Sequence, residues 1–159
     1  MNAGAEIATS QYYLFLHADS FITEGGYRLL LKCLQTTGPA WGFFLISLDN
    51  PKPVYRIIEK LMNWRSTATR VATGDQCLFV SSDTFERVGG FGDLRLMEDV
   101  AISKRLRELN EPSIIKIPVQ TSTRRWEKHG VVKTIMLMWL LRAAYFLGVS
   151  PERLHRLYY

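Results

Sequence analysis

The chain has 159 residues, of which 47% are hydrophobic, and this combination suits one globular domain spanning residues 1–159. The formal net charge is +5, with Lys and Arg spread along the chain, so an anionic partner is favoured only mildly. Zinc-finger spacing, an aromatic-basic RNA signature and a recognition-helix pattern are all missing from the sequence, and we therefore expect no nucleic-acid binding.

The N-terminus and the cysteines indicate a cellular compartment. Residues 1–10 are rich in small side chains and predict a helix, without the basic and then apolar pattern of an export signal. Cys33 and Cys77 do not form a C-x-x-C pair, and each lies in an apolar segment, so we expect two buried free thiols. Free thiols fit a reducing cytoplasm, which is the predicted location.

Apolar runs that predict strands alternate with segments of helical period, and the alternation predicts an α/β protein whose helices cover a parallel or mixed sheet. The run containing Pro118 lacks one ladder donor, so that strand is expected at a sheet edge or with the proline near its end. The predicted strands are YYLFLHAD, WGFFLISLD, QCLFVSS and SIIKIPVQT. The helical stripes are Tyr27, Leu30, Leu31 and Leu34; Val54, Ile57, Ile58, Leu61 and Met62; and Ile102, Leu106 and Leu109.

The C-terminal part of the chain predicts two further helices. The segment from Val131 to Val149 approaches the length of a membrane span, but Lys133 and Arg142 leave fewer uncharged residues than the roughly 20 that a span needs, so a buried helix is favoured. The following SPERLHRLYY begins a helix at Pro151 and interleaves basic residues with leucines and tyrosines. These C-terminal helices either contact a membrane surface or form a packed tail with a solvated basic face.

Polar residues follow the predicted strands, where open α/β sheets place their ligands. After the first strand, Asp19 can hold a hard divalent cation that bridges two phosphates, or it can be an ordinary turn residue that caps the next segment. The neighbouring His17 is equally consistent with a packed or hydrogen-bonded histidine.

A second acidic site lies at the start of a predicted helix. The macrodipole alone favours Glu98 and Asp99 in the first turn, but they follow GGFGDLRLM, whose three glycines allow a ligand to approach the backbone closely. A carboxylate held there can act as general base on an acceptor hydroxyl.

Two other segments have both a functional and a purely structural interpretation. Arg124 and Arg125 can clamp phosphate oxygens beside Trp126, or they can be solvated surface residues. The GDQ segment (Gly74 to Gln76) can be a simple turn before a strand, or it can supply polar contacts to a sugar.

Taken in order, MNAGAEIA, YLFLHADS, RIIEKLMNWRS, GDQCLFVS, VGGFGDLRLMEDVAISKRLREL, TSTRRWEKHGVVKT and LGVSPERL resemble family 2 glycosyltransferases of the GT-A fold. The sequence is most similar to the subgroup described as transferase 2, radical-SAM/selenodomain-associated. The resemblance covers nearly all of the chain. It implies a partial GT-A (Rossmann-like) mixed sheet flanked by helices, and transfer of a sugar from a nucleotide-diphosphate donor to an acceptor hydroxyl of unknown identity, usually with inversion and with Mg or Mn as cofactor.

The resemblance also implies roles for individual residues. His17-Ala18-Asp19 stands at the position of the family's D-x-D motif, so Asp19 takes the metal and diphosphate role, while His17 departs from the motif and is assigned to donor binding. Asp99 is the expected catalytic base, and Glu98 is expected to orient the acceptor.

Further contacts follow from the same comparison. Arg124, Arg125 and Trp126 match the family's R-W element and are assigned to donor binding, but Gln120 is too far upstream to complete Q-x-x-R-W, so processive polymer synthesis is not expected. Asp75 and Gln76 are assigned to acceptor binding.

Family members have further nucleotide-binding strands upstream of the His-x-Asp strand, and these strands are missing from this chain. Their absence predicts exposed apolar sheet surface and therefore self-association. It also keeps open a second hypothesis, in which the chain is a non-catalytic interaction module or an inactive fragment of such an enzyme.

Overall fold

The protein is described by a computed structural model that covers residues 1–94 and 96–158, without the side chains of Arg125, His129 and Tyr158. The strands are β1 (Tyr12–Phe15), β2 (Ser20–Ile22), β3 (Trp41–Leu48), β4 (Leu78–Ser81) and β5 (Ser113–Thr121). The helices are α1 (Asn2–Ile7), α2 (Glu24–Thr36), α3 (Pro53–Thr69), α4 (Ser82–Arg87), α5 (Glu98–Leu109), α6 (Arg124–His129), α7 (Val131–Phe146) and α8 (Pro151–Tyr158). A short 3-10 helix, Gly74–Gln76, precedes β4.

The strands form one mixed sheet in the order β1-β4-β3-β5-β2. β3 and β5 are parallel, and the other neighbouring pairs are antiparallel. It follows that β1, β3 and β5 run in the same direction, so that their C-terminal ends and the N-terminal end of β4 meet at one edge of the sheet. The predicted α/β class, with helices flanking a mixed sheet, is confirmed.

Two strand predictions need correction. The first strand, β1, is not buried, because it lies at one edge of the sheet and its side chains are half-buried or exposed. β5 is not an edge strand, since it pairs with β3 on one side and with β2 on the other. Pro118 is accommodated there because it lies where the β3–β5 register shifts, and such an irregularity leaves a residue outside the ladder.

Apolar side chains pack on both faces of the sheet. On one face, Trp41 and Phe43 of β3 pack with Ile102 and Leu106 of α5, and all four are fully buried. On the other face, Leu30 of α2 packs against five buried side chains of the sheet and of the residue before β4: Phe44, Cys77, Phe79, Ile115 and Val119. The helices are therefore held on the sheet by burial of large apolar side chains.

Side chains continue the hydrogen bonding of β3 where its partner strand has not yet begun. β4 pairs with β3 only at Trp41–Phe43, so the following residues of β3 have no neighbouring strand on that side. Gln76 Nε2 donates to Phe44 O at 3.3 Å, Asn63 bonds both the N–H and the carbonyl of Ile46 at 2.9 Å, and Glu59 accepts from Leu48 N at 3.0 Å. These bonds satisfy buried backbone groups that would otherwise be unpaired, and they fix α3 against the sheet.

The apolar stripes predicted for the helices are only partly buried. The stripe on α3 is wrong in part, because Ile58 is buried together with Tyr55, whereas Val54, Ile57 and Leu61 are exposed. Three further members of the predicted stripes are exposed, because the rest of each helix already covers the sheet. They are Tyr27 and Leu31 of α2 and Leu109 of α5.

The prediction for α7 also needs correction. Thr134 and Leu141 are buried, as expected of a core helix, but Met136 and Trp139 on another face are 67% and 73% exposed. Within the described residues, no helix is long and apolar enough to cross a membrane.

The cysteine prediction is confirmed in part. Both cysteines are free, and Cys77 is fully buried, which raises the pKa of its thiol to about 12. Cys33 is only half-buried, because it lies on the side of α2 between the sheet and solvent.

Candidate functional site

The polar residues singled out from the sequence converge on one edge of the sheet. His17 and Asp19 follow the C-terminal end of β1, Arg124 follows that of β5, and the Gly74–Gln76 helix leads into the N-terminal end of β4. The mixed strand directions bring these ends together, although the sheet has a single parallel pair in the described part of the chain. The site therefore lies where an open α/β sheet would place a ligand.

His17 and Gly74 are in direct contact. A Cβ atom added to Gly74 would lie 2.2 Å from His17 Nε2, far inside van der Waals distance. A side chain at position 74 would push the imidazole aside, because the ring lies directly against the backbone at this point. The contact joins the end of β1 to the segment that precedes β4.

Asp99 is anchored by two backbone N–H groups. Its Oδ2 accepts from Gly74 N at 2.7 Å, and its Oδ1 accepts from Val100 N at 2.7 Å. The helix begins at Glu98 after Met97, which has a φ of 66°, a left-handed conformation that costs energy in a residue with a side chain. This bend turns the first turn of α5 so that the Asp99 carboxylate meets Gly74.

Burial raises the pKa of Asp99 from 3.8 to about 6. Burial is the largest cause of this net shift; the charges of Glu98 and Asp75 also contribute to the rise in pKa, and the two N–H hydrogen bonds oppose it. At neutral pH the group is a carboxylate with a pKa close to the ambient pH, which is the property that favours proton transfer by a general base.

The C-terminal helices cover the back of the Asp99 segment. Met97 and Val100, on either side of the acidic pair, are buried in one cluster with Leu141 of α7 and Leu154 of α8. This packing excludes water from the protein side of the carboxylate. The apolar surroundings are the physical cause of the raised pKa.

Two cavities meet at His17. A small cavity of about 20 Å³, with room for about one water molecule, is bounded by His17, Gly74 and Asp99. An open depression of about 570 Å³ is lined by His17, Asp19 and Arg124. His17 and Met1 lie on the walls of both, so these two residues separate the Asp99 side of the site from the Asp19 side.

Asp19 lies in a hydrogen-bonded turn after β1. Its side chain is exposed, while the surrounding turn is closed by Ser20 N donating to His17 O at 3.1 Å and Ser122 N donating to Asp19 O at 3.3 Å. No group of three or more His, Cys, Asp or Glu residues suited to a metal occurs among residues 1–94 and 96–158. A single exposed carboxylate supplies only one of the oxygen ligands that Mg or Mn takes, so the metal role of Asp19 stays a prediction.

Arg65 belongs to the same polar region and was missed by the sequence reasoning. Its Nη2 donates to Ser66 Oγ at 2.7 Å and to Thr73 Oγ1 at 3.2 Å. Burial lowers the pKa of the Arg65 guanidinium, whereas the nearby charges of Asp75 and Asp99 raise it. A helical period cannot identify such a residue, because its role depends on two acidic groups from distant segments.

Asp75 lies between these charged groups. Its Oδ1 atom is buried and makes no hydrogen bond within the described residues. Its charge acts on both Arg65 and Asp99. The described residues supply no donor for this oxygen, but the atom is buried and Asp75 lines neither cavity, so its contact with an acceptor hydroxyl stays a prediction.

Several predicted residues have other positions. Gln76 is fully buried, and its Oε1 accepts from Ser66 Oγ at 2.7 Å and from Thr73 N at 3.0 Å, so the structure does not bring it to the site surface. Trp126 packs against the cluster of Ile46, Leu48, Tyr55 and Ile58 and does not line either cavity. Glu98 is half-buried beside Asp99, and the side chain of Arg125 lies outside the described residues.

The chain was compared with protein-family models, with curated proteins and with solved structures, and none of the three comparisons found a match.

Proposed function

We propose that this chain is a glycosyltransferase, or part of one, that transfers a sugar from a nucleotide-diphosphate donor to an acceptor hydroxyl. The observation that carries the proposal is the position of His17, whose imidazole borders both the depression with Asp19 and Arg124 and the cavity with Asp99. An in-line displacement places the base and the leaving diphosphate on opposite sides of one anomeric carbon, so the imidazole of His17 moves aside to let the acceptor on the Asp99 side reach the donor. The resemblance to family 2 glycosyltransferases and a GT-A arrangement of the sheet are part of this proposal.

The donor occupies the open depression. The depression is wide and open to solvent, so a nucleotide diphosphate would lie against its surface beside Asp19 and Arg124. Arg124 presents a guanidinium fork to phosphate oxygens, and Asp19 holds Mg or Mn together with the diphosphate. When bound, the cation neutralises the negative charge that develops on the leaving diphosphate.

Asp99 accepts the proton of the acceptor. The acceptor oxygen attacks the anomeric carbon, the bond from that carbon to the diphosphate oxygen breaks, and the acceptor proton passes to Asp99. Gly74 N and Val100 N hold the carboxylate in one orientation, and the remaining lone pairs stay free for the acceptor. Attack from the side opposite the diphosphate inverts the anomeric centre.

The test is titration of the chain with UDP and with GDP by calorimetry, in the presence and absence of Mn²⁺. We expect binding of one nucleotide diphosphate that Mn²⁺ strengthens, and Arg124→Gln should weaken it by about tenfold, the loss expected for a charge-assisted phosphate contact. Arg28→Gln is the matched control, because Arg28 is an exposed arginine paired with Glu24 on α2.

Absence of binding to either nucleotide, with the chain folded by circular dichroism, would contradict the proposal. The chain would then be better described as a non-catalytic interaction module. Equal loss in Arg28→Gln and Arg124→Gln would also count against the site, since only general electrostatics would then be at work.

A further inference from the structure

Helix α7 is apolar on two opposite faces. The face toward the protein buries Leu141 and packs Leu137, Ala144 and Tyr145 into the cluster that holds Met97 and Val100. The opposite face is exposed along the helix, and its large apolar members are Val132, Met136, Trp139, Leu140 and, just after the helix, Leu147. A helix with large apolar side chains on two opposite faces is typical of one that is covered on both sides.

The covered face is firmly attached to the body of the protein. Besides the apolar cluster, Lys104 Nζ of α5 lies 4.3 Å from the ring centre of Phe146 and 4.9 Å from that of Tyr145. These cation–π contacts and the burial of Leu141 and Leu154 fix the orientation of α7. The exposed face cannot turn inward without breaking this packing, so its cover must come from outside the described fold.

The excess positive charge of the chain lies next to this face. Residues 122–159 contain seven Lys and Arg against two Asp and Glu, whereas residues 1–121 contain thirteen of each. The whole formal charge of +5 therefore belongs to the segment that carries α6, α7 and α8. In the sequence, Lys128 precedes this face, and Arg153 and Arg156 follow it.

We propose that the exposed face of α7 lies on the surface of a membrane that contains anionic lipids. The helix has 16 residues, and at about 1.5 Å per residue it is too short to span a bilayer but suits a position in the plane of the surface. Trp139 then lies at the headgroup boundary, where tryptophan is favoured, and the flanking arginines and lysines contact lipid phosphates. The proposal is independent of the glycosyltransferase assignment.

A second copy of the chain is the less favourable cover. A two-fold dimer through α7 would place the same segment of each copy against the other, because such an interface is self-complementary. Each segment carries the full excess charge of +5, so the two would repel. An anionic surface instead gains from the same charge.

The test is flotation of the whole chain with vesicles of phosphatidylcholine alone and of phosphatidylcholine with about 30% phosphatidylglycerol, at low and at high salt. We expect binding to the anionic vesicles that salt weakens. The double substitution Met136→Glu with Trp139→Glu should lower the partition coefficient by about tenfold or more, because it removes two large apolar side chains from the lipid. Arg153→Glu with Arg156→Glu should also lower it by about tenfold or more.

The control is the double substitution Ile7→Glu with Phe21→Glu, which makes the same charge change at two exposed apolar residues outside the C-terminal helices. All these side chains are exposed, and circular dichroism should confirm that each variant folds. Equal loss of binding in both apolar double variants, or no binding to anionic vesicles, would overturn the proposal. A stable dimer that Met136→Glu with Trp139→Glu dissociates would assign the face to a second copy instead.

Discussion

Two polar clusters lie beside each other in the segment before β4, and they differ in how fully their groups are bonded. The side-chain oxygen and nitrogen of Gln76 both form hydrogen bonds within the protein, with Ser66, Thr73 and Phe44 as partners. Around Asp99, the carboxylate has a raised pKa and borders a cavity, and the neighbouring Asp75 has a buried oxygen without a partner within the described residues.

The difference distinguishes polar groups that stabilise the fold from polar groups that remain available to a ligand. A fully bonded buried amide stabilises one arrangement of the chain and has little left to offer a ligand. A desolvated carboxylate with free lone pairs is costly to the fold and is retained more easily where it has a task. Substitutions in the two clusters should therefore affect different measurements.

Replacing the carboxylate of Asp99 should give the largest effect. Asp99→Asn should lower the rate of sugar transfer, or of nucleotide-sugar hydrolysis, by about 10²- to 10⁴-fold, because it removes the proton acceptor. The affinity for the nucleotide diphosphate should stay the same, since Asp19 and Arg124 line a separate depression. Turnover of UDP-sugars and GDP-sugars with calorimetry on the same samples measures both. Unchanged turnover would exclude Asp99 as the base.

In the Gln76 cluster, a substitution should lower the free energy of unfolding. Gln76→Ala leaves Thr73 N and Phe44 O without their partner inside the protein, and unpaired buried groups cost roughly 1–3 kcal/mol each. We expect the free energy of unfolding in urea to fall by about 2–4 kcal/mol. Gln120→Ala is the control, because Gln120 is exposed on β5. Similar small losses in both variants would contradict the structural role of Gln76.

The raised pKa of Asp99 predicts a specific pH dependence of stability. Between pH 3.8 and about 6 the folded protein binds more protons at Asp99 than the unfolded chain does. The contribution of this residue to the free energy of unfolding is therefore greatest below pH 3.8 and is lost as the pH rises through about 6. The difference in urea stability between the wild type and Asp99→Asn should follow this course. A difference that does not change across that range would contradict the raised pKa.

The sequence predicted the class of fold because hydrophobic period depends on neighbours in the chain. It predicted β3, α5 and the general position of β5, but not that β1 is an edge strand or that β5 is interior, because strand order depends on pairing between distant segments. It missed β2, a strand of three residues, for which a period-2 pattern is too short.

At the site, sequence patterns singled out residues that belong to a local motif. They did not single out residues whose position depends on contacts with distant segments. Asp19, Asp99 and Arg124 were singled out from their positions after strands or before a helix, together with the resemblance, and their roles stay predictions. The interior position of Gln76 and the position of Arg65 near Asp75 and Asp99 could not be found in this way. They depend on contacts between α3, the segment before β4 and the start of α5.

The smallest expected effect on stability is at Gly74, where the two clusters touch. Gly74→Ala places a Cβ 2.2 Å from His17 Nε2, but His17 is exposed and its ring can move, so the free energy of unfolding should change by less than about 1 kcal/mol. Displacing the imidazole should nevertheless alter the wall shared by the two cavities and weaken nucleotide-diphosphate binding. Gly92→Ala is the control, because its added Cβ would lie 3.5 Å from the nearest atom, Leu94 Cγ. If both variants bind the nucleotide diphosphate equally well, the His17 ring does not contribute to the donor depression. Gly74 then connects the Gln76 cluster to the Asp99 cluster only through its hydrogen bond to Asp99.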